Sequence, residues 1–573
     1  MREYFESEMR LLHDAAADFA RAHPEQARML NLTEVRDRDP YVERLLEGMA
    51  FMAAQIRARI DDSEVAVSEQ LLEQMCPGQL RGYPSGTILS FTPDAHAQSS
   101  KFIAAGSRVS SAPVGEQRQR CHFTTLTDLH VHPLTLSDVK ATETADGGTT
   151  LALTLVSRGG GELAERLPAE LDIYLHADLA LALALFQGLT ERPAEIRVST
   201  EDGQRIGRLG SNALSAPGLD EIDMPGLLCH RGHPGLDRLQ DYFAWQARFL
   251  FVRLRGLDTL TLPDKTRRIT LTVPTAVRLP AEHALRADHL RLNCVPAVNL
   301  YRMDADPLEV DQRKAEYRFL PDRQRPDTVV LHQIESLIGR EQRSARTQTY
   351  VPFYQALTPE QGDHCYRLTY RDLGLATPQP FISLSGPALV SAQSLSASVI
   401  VSDGHLPRRY LTENQVTVPG DGIPPGVTVT NLMRPGSYLP APPQAEYRWR
   451  LQALMHMPAS GLASRDGMST LLGVLDRTDR EEHRRRRQAL QDVEVAPVTR
   501  MLGGMLYRGI AVTLNIAEQD FLSQADIYLF GCVMHRVLSA SAAINESVEL
   551  RIVCQPGQKE FAWAPRSGCA API

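Results

Sequence analysis

SEQLLEQMCPGQLRGYPSGTILSFTP, residues 68–93, holds the switch on which the fold turns. Its first eight residues, SEQLLEQM, read as helix. Cys76-Pro77-Gly78 then stops that helix, because a residue before proline is pushed out of the helical region and glycine is a weak helix former. After Pro84 the pattern changes to TILSFTP, a short alternating run bounded by turn residues, which reads as a strand. Helices are expected before this point and mainly strands after it.

Upstream, Phe5, Met9, Leu12, Ala16 and Phe19 recur at steps of four and three. This spacing puts them on one helix face, with Glu6, Arg10, Asp14 and Asp18 largely elsewhere. His23-Pro24 marks the stop. A second helix is expected from Asp39-Pro40, where aspartate can cap free amides and proline suits the first helical position. Val42, Leu45, Leu46, Met49, Ala53, Ile56 and Ile60 form its broad apolar face. Residues 41–60 would span about 30 Å at 1.5 Å per residue. These faces have two readings. Each helix can pack into its own core, or the near-heptad spacing can mark a bundle shared between chains.

Downstream, RVSSAP from Arg108 and LHVHPLTL from Leu129 contain further short strands. TADGGTTLALTLVS, residues 144–157, reads as a hairpin turning at Asp146-Gly147-Gly148, with Leu151, Leu153 and Leu155 on one face. EIRVSTEDGQRIGRL, residues 195–209, offers another Asp-Gly turn. DLALALALFQGL, residues 178–189, is too short to span a bilayer and reads as a buried helix. After a Pro- and Gly-rich stretch at 419–443, helices are expected at 449–457, 468–475 and 526–544. Strands are expected at 508–516 and 548–553. The expected fold is α+β and multidomain. It has an N-terminal helical, bundle-forming region (1–84), a β-rich middle domain (85–257), a second β-rich domain (258–435) and a small α/β C-terminal domain (436–573).

The bulk composition fits a soluble globular chain: 573 residues, 43% hydrophobic and 23% charged. Its 61 basic and 69 acidic residues give a net charge of -8, which disfavours a general nucleic-acid binder. MREYFESEMR lacks the basic start and apolar run of a secretory signal, and no run of apolar residues is long enough to span a membrane. A cytosolic chain is expected. The 8 cysteines are scattered without a C-x-x-C pair, so reduced, mostly buried thiols are expected rather than a disulfide framework.

Motifs for chemistry are absent. There is no phosphate-binding G-x-x-x-x-G-K-[ST] loop, no G-x-G-x-x-G after a strand, no G-x-S-x-G elbow and no H-E-x-x-H helix. Arg158-Gly159-Gly160-Gly161 has no lysine and reads as a loop. Cys229-His230-Arg231-Gly232-His233 carries ligand-type residues, but structural zinc needs a complementary pair that is not nearby. No catalytic residue, metal or cofactor is expected. The four consecutive arginines of DREEHRRRR, residues 479–487, could grip an acidic partner surface or phosphate. Glu481 and Glu482 precede Arg485 and Arg486 by four residues, which favours a solvated helical face.

Blocks along nearly the whole chain resemble the TssF family of the bacterial type VI secretion system. The N-terminal blocks are YFESEMRLLHDAAADFARAHPEQARML, DPYVERLL (39–46) and LLEQMCPGQLRGYPSGTILSF. Further blocks follow in family order: HPGLDRLQDYFAWQARFLFVRLRGL (233–257), LRLNCVPAVNLY (290–301), EYRFLPD (316–322), RGIAVTLNIAEQDFLSQADIYLFGCVMHRVL (508–538) and WAPRSG (563–568). The chain departs from the family pattern at VSDGHLP (401–407), MHMPASGLAS (455–464) and Asn545-Glu546-Ser547.

The resemblance implies a structural baseplate wedge subunit, not an enzyme. It implies association with TssG, commonly two TssF copies to one TssG, and with TssE and TssK. Such wedges surround the VgrG spike beneath the contractile sheath and inner tube, in a baseplate docked at the membrane. It also raises the shared-bundle reading, with Phe5, Met9, Leu12, Phe19, Val42, Leu45, Leu46, Met49 and Ile56 as the expected partner interface. The alternatives are a wedge protein of another contractile injection device, or an enzyme with a noncontiguous site.

Overall fold

A computed structural model of the chain describes residues 2–29, 40–145, 147–220, 233–279, 284–341, 346–353, 364–371, 373–375, 377–386, 392–442, 445–502 and 505–568. The chain forms two compact units. One comprises residues 1–73 with 444–452, and the other residues 74–443 with 453–573.

The first unit is helical. Helix α1, Arg2–Ala22, ends one residue before His23-Pro24, and a short helix, Pro24–Met29, follows. Helix α2 runs without interruption from Pro40 to Met75, 36 residues or about 54 Å. Separate helices at 41–60 and 68–75 were expected, and the structure joins them. The intervening DDSEVAV contains neither glycine nor proline, and its weaker helix formers each cost only a few tenths of a kcal/mol. The stop at Cys76-Pro77 is where proline requires it.

The second unit carries the strands. A six-stranded sheet runs in the order Val416–Pro419, Arg108–Ser111, His122–Thr125, Cys294–Val298, Gly86–Pro93 and Val427–Asn431. All its pairings are antiparallel. Leu89, Phe91, Val109, Phe123, Val295 and Val429 share its core. A five-stranded sheet contains both expected hairpins. Leu134–Glu143 pairs with Thr149–Ser157, and Ile196–Thr200 pairs with Arg205–Leu209. Leu151, Leu153 and Leu155 are buried on one face, as the alternation requires. An eight-stranded sheet contains Tyr301–Asp304, Val330–Glu341 and Gln393–Ser402, with its own core around Leu337, Tyr350, Ile382 and Val399.

Helix α3, Leu179–Thr190, is almost wholly buried, and α4, Pro234–Ala244, follows it. Beyond α5, Ala445–Met455, come α6, Arg465–Leu475, and α7, Glu481–Gln488. Strand Met505–Ala517 then runs parallel to Glu546–Gln555. A parallel pair needs a long crossover, and here it is helix α8, Gln524–Ser541. Helix α8 packs on Glu546–Gln555 and on the neighbouring strand Glu560–Ser567, and α3 and α4 also pack on it. This explains why so many of its side chains are buried. The α/β character expected near the C-terminus is therefore present. The described cysteines Cys76, Cys121, Cys294, Cys365, Cys532 and Cys554 are buried thiols.

A fully buried carboxylate joins the six- and eight-stranded sheets. Asp403 follows strand Gln393–Ser402 and is 0% exposed. Its Oδ1 accepts from the Tyr301 hydroxyl at 2.9 Å and from Gln119 Nε2 at 3.0 Å. Its Oδ2 accepts from Asn299 Nδ2 at 2.7 Å and from the His122 amide at 3.0 Å. Asn299 Oδ1 accepts in return from the Asp403 amide at 2.8 Å and Ser402 Oγ at 2.9 Å. Burial, reinforced by Asp403, holds the Tyr301 phenol well above its ordinary range, so it remains a donor. Both carboxylate oxygens meet only donors, so the site demands an acceptor-only group. Asp403→Asn would turn an N–H toward existing donors. We expect it to destabilise this unit by about 2–3 kcal/mol, the cost of orphaned buried donors. Scanning fluorimetry would read this as a lowered melting midpoint, and a wild-type midpoint would contradict the assignment.

Candidate partner interface

In the helical unit, α2 presents two different apolar faces. The inward one is built from small residues: Ala50 and Ala54 are both 0% exposed, and Leu46 is half-buried. Alanines permit close approach, and Arg57 Nη1 reaches Glu8 Oε1 of α1 at 2.8 Å. The outward face carries large residues. Leu45 is 67% exposed, Met49 54%, Met52 64% and Ile56 58%. Their spacing of four, three and four keeps them on one stripe of the helix. Tyr41 and Phe51 are also exposed on α2, as is Leu11 on α1.

The residues expected at an interface thus divide. Leu45, Met49 and Ile56 lie on the exposed stripe, and Phe19 is exposed beside His23, their ring centroids 5.1 Å apart. Phe5, Met9, Leu12 and Leu46 are half-buried. The side chains of Val42 and Ile60 lie outside what the structure describes. Met52 was missed, although it stands three residues beyond Met49 and completes the heptad step. A contiguous exposed apolar stripe is uncommon on a monomer surface.

The charged run near the C-terminus also divides. Glu481 pairs outward with Arg484 at 3.4 Å and Arg485 at 3.5 Å. Arg486 turns inward instead, giving Nη2 to Asp526 Oδ2 at 2.7 Å, with both side chains buried. Its guanidinium lies 5.4 Å from the Tyr242 ring centroid, and Gln246 Nε2 donates to Asp526 Oδ1 at 3.1 Å. The helix is therefore not solvated all round, because Arg486 ties α7 to α8.

Among the described residues, no group of three His, Cys, Asp or Glu side chains is placed to hold a metal ion. Cys229, His230, Arg231 and Gly232 lie outside the described residues, while His233 Nε2 meets Ser541 Oγ at 3.3 Å. Among the described residues, no helix is long and apolar enough to cross a membrane.

The type VI secretion system TssF family matches residues 1–570. The chain belongs to that family. It is 25% identical to the type VI secretion system component TssF1 of Pseudomonas aeruginosa, over 99% of this chain and 98% of that protein. It is similar to a chain of a solved type VI TssK-TssF-TssG baseplate subcomplex, with 25% identity and a TM-score of 0.75, covering 92% of this chain and 100% of that one. A chain of a solved type VI baseplate complex shares the fold at 24% identity and a TM-score of 0.62, each covered in full. This TssF-family chain is a structural component of the type VI secretion baseplate.

The two faces of α2 make opposite predictions. Ala54→Leu should overpack the inward face and lower the stability of the helical unit by about 1–3 kcal/mol. Met52→Ala should stay within about 0.5 kcal/mol, as an exposed substitution does. Helical circular dichroism followed through a thermal melt distinguishes them. Equal effects would contradict the inward and outward assignment.

Proposed function

We propose that this subunit captures TssG in a shared helical bundle through the exposed stripe Leu45, Met49, Met52 and Ile56, together with Phe5, Met9, Leu12, Phe19, Val42 and Leu46. The stripe itself carries the proposal. An apolar heptad face lacking its second helix gains most by meeting another apolar helix, at roughly 25 cal/mol per Å² removed from water. The similar TssF chain solved with TssK and TssG supports the choice of partner.

On this reading the chain works by holding surfaces together. Two copies embrace one TssG, TssE and TssK complete the wedge, and wedges gather around the VgrG spike beneath sheath and tube. The subunit resides in the cytoplasm and reaches the membrane only as part of the docked baseplate. Such a part needs rigid domains, apolar anchors and contacts that rearrange on firing, with no activated nucleophile.

Co-expression with TssG and affinity capture tests the proposal. Wild-type chain should retain TssG under mild salt. Leu45→Asp or Met49→Asp should abolish capture, because each would bury a charge in an apolar contact. Both positions are exposed in the chain alone, so both variants should fold. Full TssG retention by both would refute the face.

A further inference from the structure

Around the loop 435–440 in the second unit, arginines from separate stretches meet. Arg434 donates from Nε and Nη2 to the Arg408 carbonyl at 3.2 and 2.7 Å. Arg408 donates from Nη1 to the Pro435 carbonyl at 3.3 Å. Arg477 donates to the Arg81 carbonyl at 3.0 Å and to the Pro440 carbonyl. This brings residues 476–480 against the same loop and sets Arg480 within electrostatic reach of Arg408.

The acceptors in these bonds are neutral carbonyls, so they orient the guanidinium groups without neutralising them. The carboxylates flanking Arg480 are engaged by other arginines: Asp479 by Arg484 at 2.7 Å, and Glu481 by Arg484 and Arg485 at 3.4 and 3.5 Å. Desolvation first, then repulsion from Arg434 and Arg480, holds the Arg408 guanidinium below its ordinary range. Arg408, Arg434 and Arg480 are all exposed.

We propose that Arg408, Arg434 and Arg480 form a docking patch for a carboxylate-rich segment of another protein of the assembly. The proposal rests on the baseplate reading, but it uses a surface separate from the N-terminal stripe. A guanidinium presents five N–H donors in a fork that matches a carboxylate. Arg434 spends two of its donor nitrogens and Arg408 one on the carbonyls above. These carbonyls hold the Arg408 and Arg434 guanidinium groups in place at an exposed surface. Charge complementarity selects an acidic protein segment over nucleic acid. The chain carries 69 acidic against 61 basic residues, so a long polyanion would be repelled beyond this compact patch.

The test uses the full chain, with and without TssG, and a fluorescent oligoglutamate peptide read by anisotropy. The peptide should bind at low salt and release as salt rises. The triple variant R408Q/R434Q/R480Q should bind on the order of tenfold more weakly, and the corresponding triple lysine variant should fall between, keeping charge but losing the fork. Arg480→Gln alone should weaken binding at an unchanged melting midpoint, which separates docking from folding. No peptide binding by the wild type, or equal binding by the glutamine variant, would overturn the patch. Tighter binding of inorganic phosphate or of a single-stranded DNA oligomer would overturn the choice of occupant. The glutamine variant should still capture TssG. Loss of TssG from wild type and variant alike would sink the TssG-capture proposal without touching the peptide result.

Discussion

The hydrogen-bonded cage around Asp403 is the constraint on which the β-rich unit depends. A carboxylate fully removed from water is costly unless its lone pairs are met. Here four donors meet it, from Gln119, His122, Asn299 and Tyr301. His122 belongs to the six-stranded sheet and Tyr301 to the eight-stranded one. Satisfying one buried charge therefore fixes how two sheets meet. A mispaired arrangement would leave several buried groups unpaired at once. That is how a polar network can specify one packing among several apolar alternatives.

The helical unit follows the opposite logic. Its inward face uses Ala50 and Ala54, while large apolar side chains at Leu45, Met49, Met52 and Ile56 remain in water. Left alone, such a helix gains little from burial, and most helical stability in proteins comes from burying an amphipathic face. On the proposed reading, association with a partner helix completes the helical unit.

Local signals made much of the architecture legible in the sequence. The stop at Cys76-Pro77, the hairpin turning before Thr149 and the parallel-sheet helix Gln524–Ser541 all rest on proline, glycine or periodicity. Pairing between distant strands was not legible. Gly86–Pro93 lies beside Val427–Asn431, and nothing in either strand names the other. The same is true of the polar joints. VSDGHLP looked like a departure from the family pattern, yet its aspartate is the hub that meets Asn299 and Tyr301 of LRLNCVPAVNLY. Arg486 belonged to a run that reads as solvated, and only folding brings Asp526 to it. On α2, periodicity identified the apolar face that includes Leu45, Met49 and Ile56 but not the buried Ala50 and Ala54 opposite it. That division depends on where α1 lies, which the spacing within one helix does not encode.

The most direct test of the central claim, that this chain is a scaffold completed through its N-terminal helices, is an electron-microscopy map of the chain purified with its neighbouring baseplate proteins. The account predicts a partner helix packed along Leu45, Met49, Met52 and Ile56, burying all four side chains. A map in which the partners bind elsewhere and this stripe still faces solvent would contradict it.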